Sequence, residues 1–248
     1  MSRDFDLELY GEMISKIKNL GYKVVFFEDL DVQDTHLILR HDVDVSLESA
    51  LKMATYEANQ NFHSTYFILL RSEMYNIYSS YATEIIKRII NLGHRIGLHF
   101  DNSIYIDKES NSIDENCEKE CSALESWFDI DITAISFHQP SKYFISLDKK
   151  IAGRINTYQS LYFKRIIYCS DSRGDWYYGN PLKLLKGKKN QSIQLLTHPI
   201  WWDTQAKIDP ERRLEQFAIG HIKSFCNNLA VETEVFKDKK LLDHIDKL

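Results

Sequence analysis

The stretch LILRHDVDVSLESAL (residues 37–51) decides the fold. An apolar run, Leu37-Ile38-Leu39, leads into Arg40, His41, Asp42, Val43 and Asp44. A helical pattern follows at once, with Leu47, Ala50, Leu51, Ala54 and Ala58 in phase and Ser46 placed as N-cap. A buried strand that delivers polar groups and turns straight into a helix is the unit of an α/β sheet. On an extended segment Asp42 and Asp44 point the same way, with Val43 turned aside.

The same pattern recurs in both directions. Short apolar runs predict strands at 22–28 (YKVVFFE), 64–70 (STYFILL), 95–99 (RIGLH) and 133–138 (TAISFH), and two more end at 170 (RIIYCS) and 198 (SIQLLTH). Helices are predicted at about 78–92, with Ile85, Ile86, Ile89 and Ile90 inward, and through Trp127 after a polar stretch at 101–115. The last 38 residues read mainly as helix. Strands alternating with helices imply a mostly parallel sheet, open or closed into a barrel. With 4 prolines, 9 glycines and no repeat, nothing marks a linker, so residues 1–248 read as one domain.

Bulk composition narrows the function. Hydrophobic residues make up 44% and charged residues 27% of 248, which suits a globular protein with a sizeable core. A net charge of -5 argues against a nucleic-acid partner. No apolar run approaches the roughly 20 residues that span a bilayer. The charged N-terminal stretch lacks the apolar segment of a signal peptide, and Cys117, Cys121, Cys169 and Cys226 fit a reducing compartment, so a cytoplasmic setting is expected. Cys117 and Cys121 are in phase with Leu124 and Phe128, which fits a buried helix face better than half of a metal site.

In βα architectures functional groups gather where strand C-termini meet the next loop. Five strands here run out into His or Asp: Asp42 and Asp44, His99 and Asp101, His138, Asp171 and Asp175, and His198. Taken singly, each such residue is more often a turn former or a cap. His41, His63 and His94 read as structural, and Trp201 and Trp202 as packing residues. Five coincidences on one sheet point instead to a shared site. Two imidazoles and one or two carboxylates suit a divalent metal, zinc above all, with a position left for water. A spare carboxylate and a spare histidine would supply base and acid for hydrolysis of an amide or ester. No glycine-rich phosphate loop or nucleophile-elbow serine is present in the sequence.

In their order, these motifs resemble those of the polysaccharide deacetylases with a NodB-homology domain, over roughly residues 35–202. RHDVD is similar to the family's Asp-x-Asp version of the first motif, which implies Asp42 as general base and Asp44 as metal ligand. FHSTYFIL is similar to its second strand. GHRIGLHFDNS matches the family's histidine motif and puts His99 on the first metal histidine, but the second falls at Ser103. Asp101, His138 or His41 is left to complete the coordination. In FHQPS, His138 replaces an arginine that orients the base, and Arg40 or Arg173 is left to supply that charge. DSRGDW resembles the Asp-x-x-Asp-Trp motif, which implies Asp175 as partner of the acid histidine and Trp176 in the pocket. LLTHP implies His198 as general acid. Arg40, Gln139, Trp176 and Trp201 are the expected substrate-binding residues.

The resemblance implies a distorted, incomplete (β/α) barrel of about seven strands, with added N-terminal and C-terminal helices and the site at its mouth. It also implies removal of an acetyl or similar acyl group from a sugar, with Zn2+ as cofactor. A cytosolic precursor of a surface polysaccharide, such as an O-antigen unit of lipopolysaccharide, is the expected substrate, and a homo-oligomer is compatible with the sequence. Two alternatives stand beside this reading: a carbohydrate-binding protein on a decayed enzyme frame, and an amidohydrolase of a small non-sugar amide.

Overall fold

The computed structural model describes residues 5–103, 111–186, 191–203 and 208–233. The chain begins with α1 (Leu7–Asn19), capped by Asp6, whose carboxylate accepts from the Leu9 N–H, and with Tyr10, Met13, Ile14 and Ile17 buried on one face. Next come β1 (Lys23–Val25), β2 (His36–Val43), α2 (Leu47–Asn59), β3 (Thr65–Leu69), α3 (Ser80–Asn91), β4 (Arg95–Phe100) and α4 (Asn111–Phe128). Then follow β5 (Ala134–Phe137), α5 (Lys142–Ser146), β6 (Ile155–Asn156), β7 (Ile167–Ser170), α6 (Pro181–Leu185), β8 (Ile193–Thr197) and α7 (Pro210–Glu232).

Local chemistry explains the helix starts. Ser46 accepts from the Ser49 N–H at 3.1 Å and Ser79 from the Ala82 N–H at 3.2 Å, each such cap stabilising its helix by about 1 kcal/mol. Ile85, Ile86 and Ile89 are buried on α3, and each such side chain contributes roughly 1.5–3 kcal/mol. Cys117 and Cys121 are buried on α4 as free thiols, on the apolar face their spacing predicts.

All strand pairs are parallel, in the order β6-β5-β4-β3-β2-β8-β7, and the short β1 shares one edge of β2 with β3. The sheet is an open, curled half-barrel of seven parallel strands, as expected. Every residue of β2 is buried, as parallel strands covered on both faces require. Its period-two alternation sorts the two faces. Leu37, Leu39 and Val43 join the main core beneath the helices, while Ile38 joins a second cluster with Phe27, Phe67 and Ala134 inside the curl. Arg40 and Asp42 share the parity of Ile38, so that cluster forms a floor and the polar residues stand above it.

Gly97 on β4 is required by this floor. A Cβ there would lie 2.5 Å from the Phe67 ring and 3.0 Å from the Ala134 carbonyl. Phe67 in turn lies under the Arg40 guanidinium, 5.5 Å from ring centre to Cζ.

The chain divides into two units, 1–207 and 208–248. The second contains α7, capped by Asp209 through the Arg212 N–H. The rest of the polar stretch (104–110) and of the expected C-terminal helix (234–248) lie outside the described residues.

Candidate active site

Asp42, Asp44, His99, His138 and His198 line one cavity of about 660 Å3, together with Gln139, Arg173, Trp201 and several tyrosines. These residues come from the ends of β2, β4, β5, β7 and β8, so the curl brings together what the sequence spreads over more than 150 residues.

The third partner of Asp44 and His99 is His138. Asp44 Oδ1 lies 3.0 Å from His99 Nε2 and 3.4 Å from His138 Nδ1, and the two nitrogens are 3.3 Å apart. The His99 ring is fixed from behind and His138 through its backbone. His99 and Ser136 are paired in the β4–β5 register, and His99 Nδ1 meets Ser136 Oγ at 2.6 Å, which leaves Nε2 facing Asp44. The His138 N–H donates to the Phe100 carbonyl at 2.9 Å, extending the ladder by one residue.

The three atoms fit a metal. A tetrahedral ion with ligands at roughly 2.0–2.1 Å has edges of roughly 3.3 Å, the separation found here. Asp44 Oδ1 is also buried without a hydrogen bond in good geometry, although two ring nitrogens adjoin it. Burial would raise the Asp44 carboxyl, but His138 and His99 outweigh it and hold the group well below the carboxylate range. The contact with Asp44 raises the His138 imidazole.

The other two candidate ligands are occupied elsewhere. Asp101 accepts from the N–H and hydroxyl of Ser103, at 2.8 and 2.9 Å, in a local turn. His41 has the opposite parity to Asp42 and faces the helices, between Glu57 at 2.9 Å and Thr197 at 2.6 Å. Glu57 is fully buried yet well satisfied. Its carboxylate also accepts from Tyr10, Ser64 and Tyr66, and although burial would raise it, His41 and His94 hold it at about 2.

Asp42 is paired with Arg40 through two bonds, Nε to Oδ1 at 2.9 Å and Nη2 to Oδ2 at 2.7 Å. Burial would raise the Asp42 carboxyl, but Arg40 outweighs it and keeps the group ionised. Arg40 was expected to bind substrate. It is instead fully buried, held by Gln194 and the Tyr158 ring as well as by Asp42, so it is closed off from the cavity and fixes the Asp42 carboxylate from behind.

A second correction concerns Asp175. It is exposed, and its carboxylate accepts from the Trp176 N–H. The partner of His198 is Asp171, which is fully buried and accepts from His198 Nδ1 at 2.6 Å, from the His198 N–H, and from Trp202 Nε1 at 2.7 Å. Burial would lower the His198 imidazole, but Asp171 raises it to about 9. Asp171 directly follows β7 and is legible there as a strand-end residue, whereas the resemblance of DSRGDW to a shorter motif points four residues beyond it.

Trp176 is likewise displaced from the expected role. Its ring packs against Phe5 and Trp202, with centroids 5.7 and 6.0 Å away, and it does not line the cavity. Tyr158, Tyr168, Tyr177 and Tyr178 do, and no motif identified them. Gln139 and Trp201, two of the expected substrate-binding residues, line the cavity.

No protein-family model and no curated protein matches the chain. Among solved structures it is similar to a family 4 carbohydrate esterase from Bacillus anthracis, at 14% identity and a TM-score of 0.45, covering 87% of this chain and 86% of that one. It is also similar to the peptidoglycan deacetylase PdaC from Bacillus subtilis, at 14% identity and a TM-score of 0.42, covering 76% and 86%. A family 4 acetyl xylan esterase from Clostridium thermocellum in complex with cobalt is matched at 15% identity and a TM-score of 0.37, over 76% and 83%. In the order of its strand-end motifs, the chain resembles the polysaccharide deacetylases of the NodB-homology type.

Proposed function

We propose that the protein is a metal-dependent hydrolase that removes an N-acetyl or similar acyl group from a sugar. One observation carries this reading. A carboxylate and a histidine flank the triangle formed by Asp44, His99 and His138: Asp42 Oδ2 lies 3.8 Å from His99 Nε2, and His198 Nε2 lies 3.8 Å from Asp44 Oδ2.

Asp44, His99 and His138 would hold a divalent ion, most simply Zn2+. When bound, such an ion acidifies water and polarises a carbonyl oxygen. Asp42, kept ionised and oriented by Arg40, accepts a proton from the attacking water. His198, held by Asp171 with Nε2 free, gives its proton to the sugar nitrogen as the C–N bond breaks. Acetate and the free amino sugar leave. His198 is suited to this task because its raised pKa keeps it in the acid form at neutral pH.

Trp201, Gln139 and the tyrosines would form the sugar-binding wall. The four cysteines are buried free thiols, which suits a cytosolic enzyme acting on a precursor of a surface polysaccharide such as an O-antigen unit. The test is acetate release from N-acetylated sugars by the purified protein, with zinc or cobalt added and with both chelated. Stoichiometric metal and metal-dependent acetate are expected. Absence of both would sink the proposal.

A further inference from the structure

The rim of the cavity has a cation with no assigned task. Arg40, Arg71, Arg95 and Arg154 each face a carboxylate. Arg173 is the one arginine that lines the cavity, and it faces none among the described residues. It is exposed, yet its backbone is not that of an ordinary exposed arginine. At φ 61° and ψ 27° it occupies the left-handed region, which a glycine would occupy without strain. Its neighbour Gly174 is left-handed as well, at φ 66°. Left-handed non-glycine residues persist where the surrounding structure holds them, and they concentrate at ligand sites. Gln139 on the β5 side of the cavity is the other lining residue of this kind, at φ 44°. Four strands separate β5 from β7 in the sheet, so the curl places two such residues on one cavity from its two arms.

The same cavity carries an aromatic wall. Tyr168 and Tyr178 meet at 5.0 Å, Tyr177 and Tyr178 at 5.3 Å, and Tyr177 is 75% exposed. Faces of this kind take the apolar side of a sugar ring, and the hydroxyls remain available to its polar edge. A guanidinium at the same rim matches an oxyanion with two parallel donors.

We propose that the sugar taken by this cavity carries an anionic substituent, a phosphate or a carboxylate, that Arg173 reads while the tyrosine wall holds the ring. This deepens the deacetylase reading and rests on it for the choice of a sugar. It adds a selection rule that the reaction itself does not require, since an amide can be hydrolysed on a neutral sugar equally well.

The test uses amino sugars, which are products and cannot be turned over. Calorimetry on the full-length protein compares glucosamine and galactosamine with their 1-phosphates and with the matching amino-uronic acids. The expected result is at least tenfold tighter binding of one anionic class over its neutral parent. That gap should collapse in Arg173→Gly, which the left-handed backbone accommodates, and be partly kept in Arg173→Lys. The class that shows the larger gap identifies phosphate or carboxylate as the group read. Equal affinity for neutral and anionic sugars in both configurations, or a gap that survives in Arg173→Gly, overturns the proposal. Acetate release is scored separately. An anion gap without acetate would overturn only the deacetylase reading, and acetate released from neutral and anionic sugars at equal KM only this one.

Discussion

Asp171 and Asp175 stand four residues apart on one loop and differ in every physical respect. Asp171 is buried under three donors from His198 and Trp202, whereas Asp175 is exposed. If His198 is the acid, Asp171→Asn should lower kcat by about 10²–10⁴-fold, the usual worth of a positioned acid. Asp175→Asn should change it by no more than about twofold. The sign of the pH effect follows from the cause. Asp171 raises His198 to about 9, so the acid form is present below that pH and is lost above it. Asp171→Asn should therefore move the alkaline limb of the kcat profile toward the ordinary histidine value. An unmoved limb would show that another group supplies the proton. The three residues proposed to hold a metal allow a similar contrast. Ser136→Ala removes the group that orients His99 and should weaken metal binding about 10–100-fold by competition with a chelating dye. Ser103→Ala, at the position where the resembled motif has a histidine, should leave it unchanged, because the Ser103 hydroxyl is spent on Asp101.

Strand β2 shows what a sequence does and does not reveal at the scale of an element. Its apolar run and strict alternation place Asp42 on the side of Ile38, and the cap at Ser46 closes the unit. That much is written locally. The choice of Arg40 as the orienting charge is not, because it depends on Gln194 and Tyr158, which arrive from remote strands and loops. His138 is legible as a strand-end residue, but its pairing with Asp44 follows from the β4–β5 register, which no single segment encodes. The two-residue β6 and the five-residue α5 and α6 carry no periodicity to read. On the helix side of β2, Glu57 makes a prediction about acid. Its carboxyl falls from an ordinary value near 4.5 to about 2 on folding, so its contribution is complete above about 4.5 and is lost as pH falls toward 2. Glu57→Gln should cost about 1–3 kcal/mol at pH 7 in urea unfolding, since it replaces an oxygen of a buried carboxylate that accepts from Tyr10, Ser64 and Tyr66. The same variant should lose less additional stability than wild type between pH 5 and 3. On β4, Gly97→Ala forces a methyl group into the Phe67 ring and should cost about 1–3 kcal/mol.

Across the curled sheet, the site and the fold are one construction. Asp44, His99 and His138 come from the ends of β2, β4 and β5, and their three donor atoms stand at mutual distances of 3.0–3.4 Å only when the strands are in register. An unfolded chain cannot present that set, so an ion bound there favours the folded state by mass action. At a free metal concentration of about 100 times Kd the gain is about 2.7 kcal/mol. For a chain of this size that corresponds to a rise in Tm of about 5–10 °C. Zinc or cobalt added to metal-free protein should produce that rise in a thermal melt, and a chelator should reverse it. His138→Ala should abolish most of the rise, whereas Asp101→Ala and His41→Gln should keep it, even though His41→Gln lowers the starting Tm by disturbing Glu57. A full shift in His138→Ala would mean that the ion is held by other groups. The contrast separates ligand loss from fold damage, because it reads the difference between loaded and metal-free protein in each variant rather than the absolute Tm.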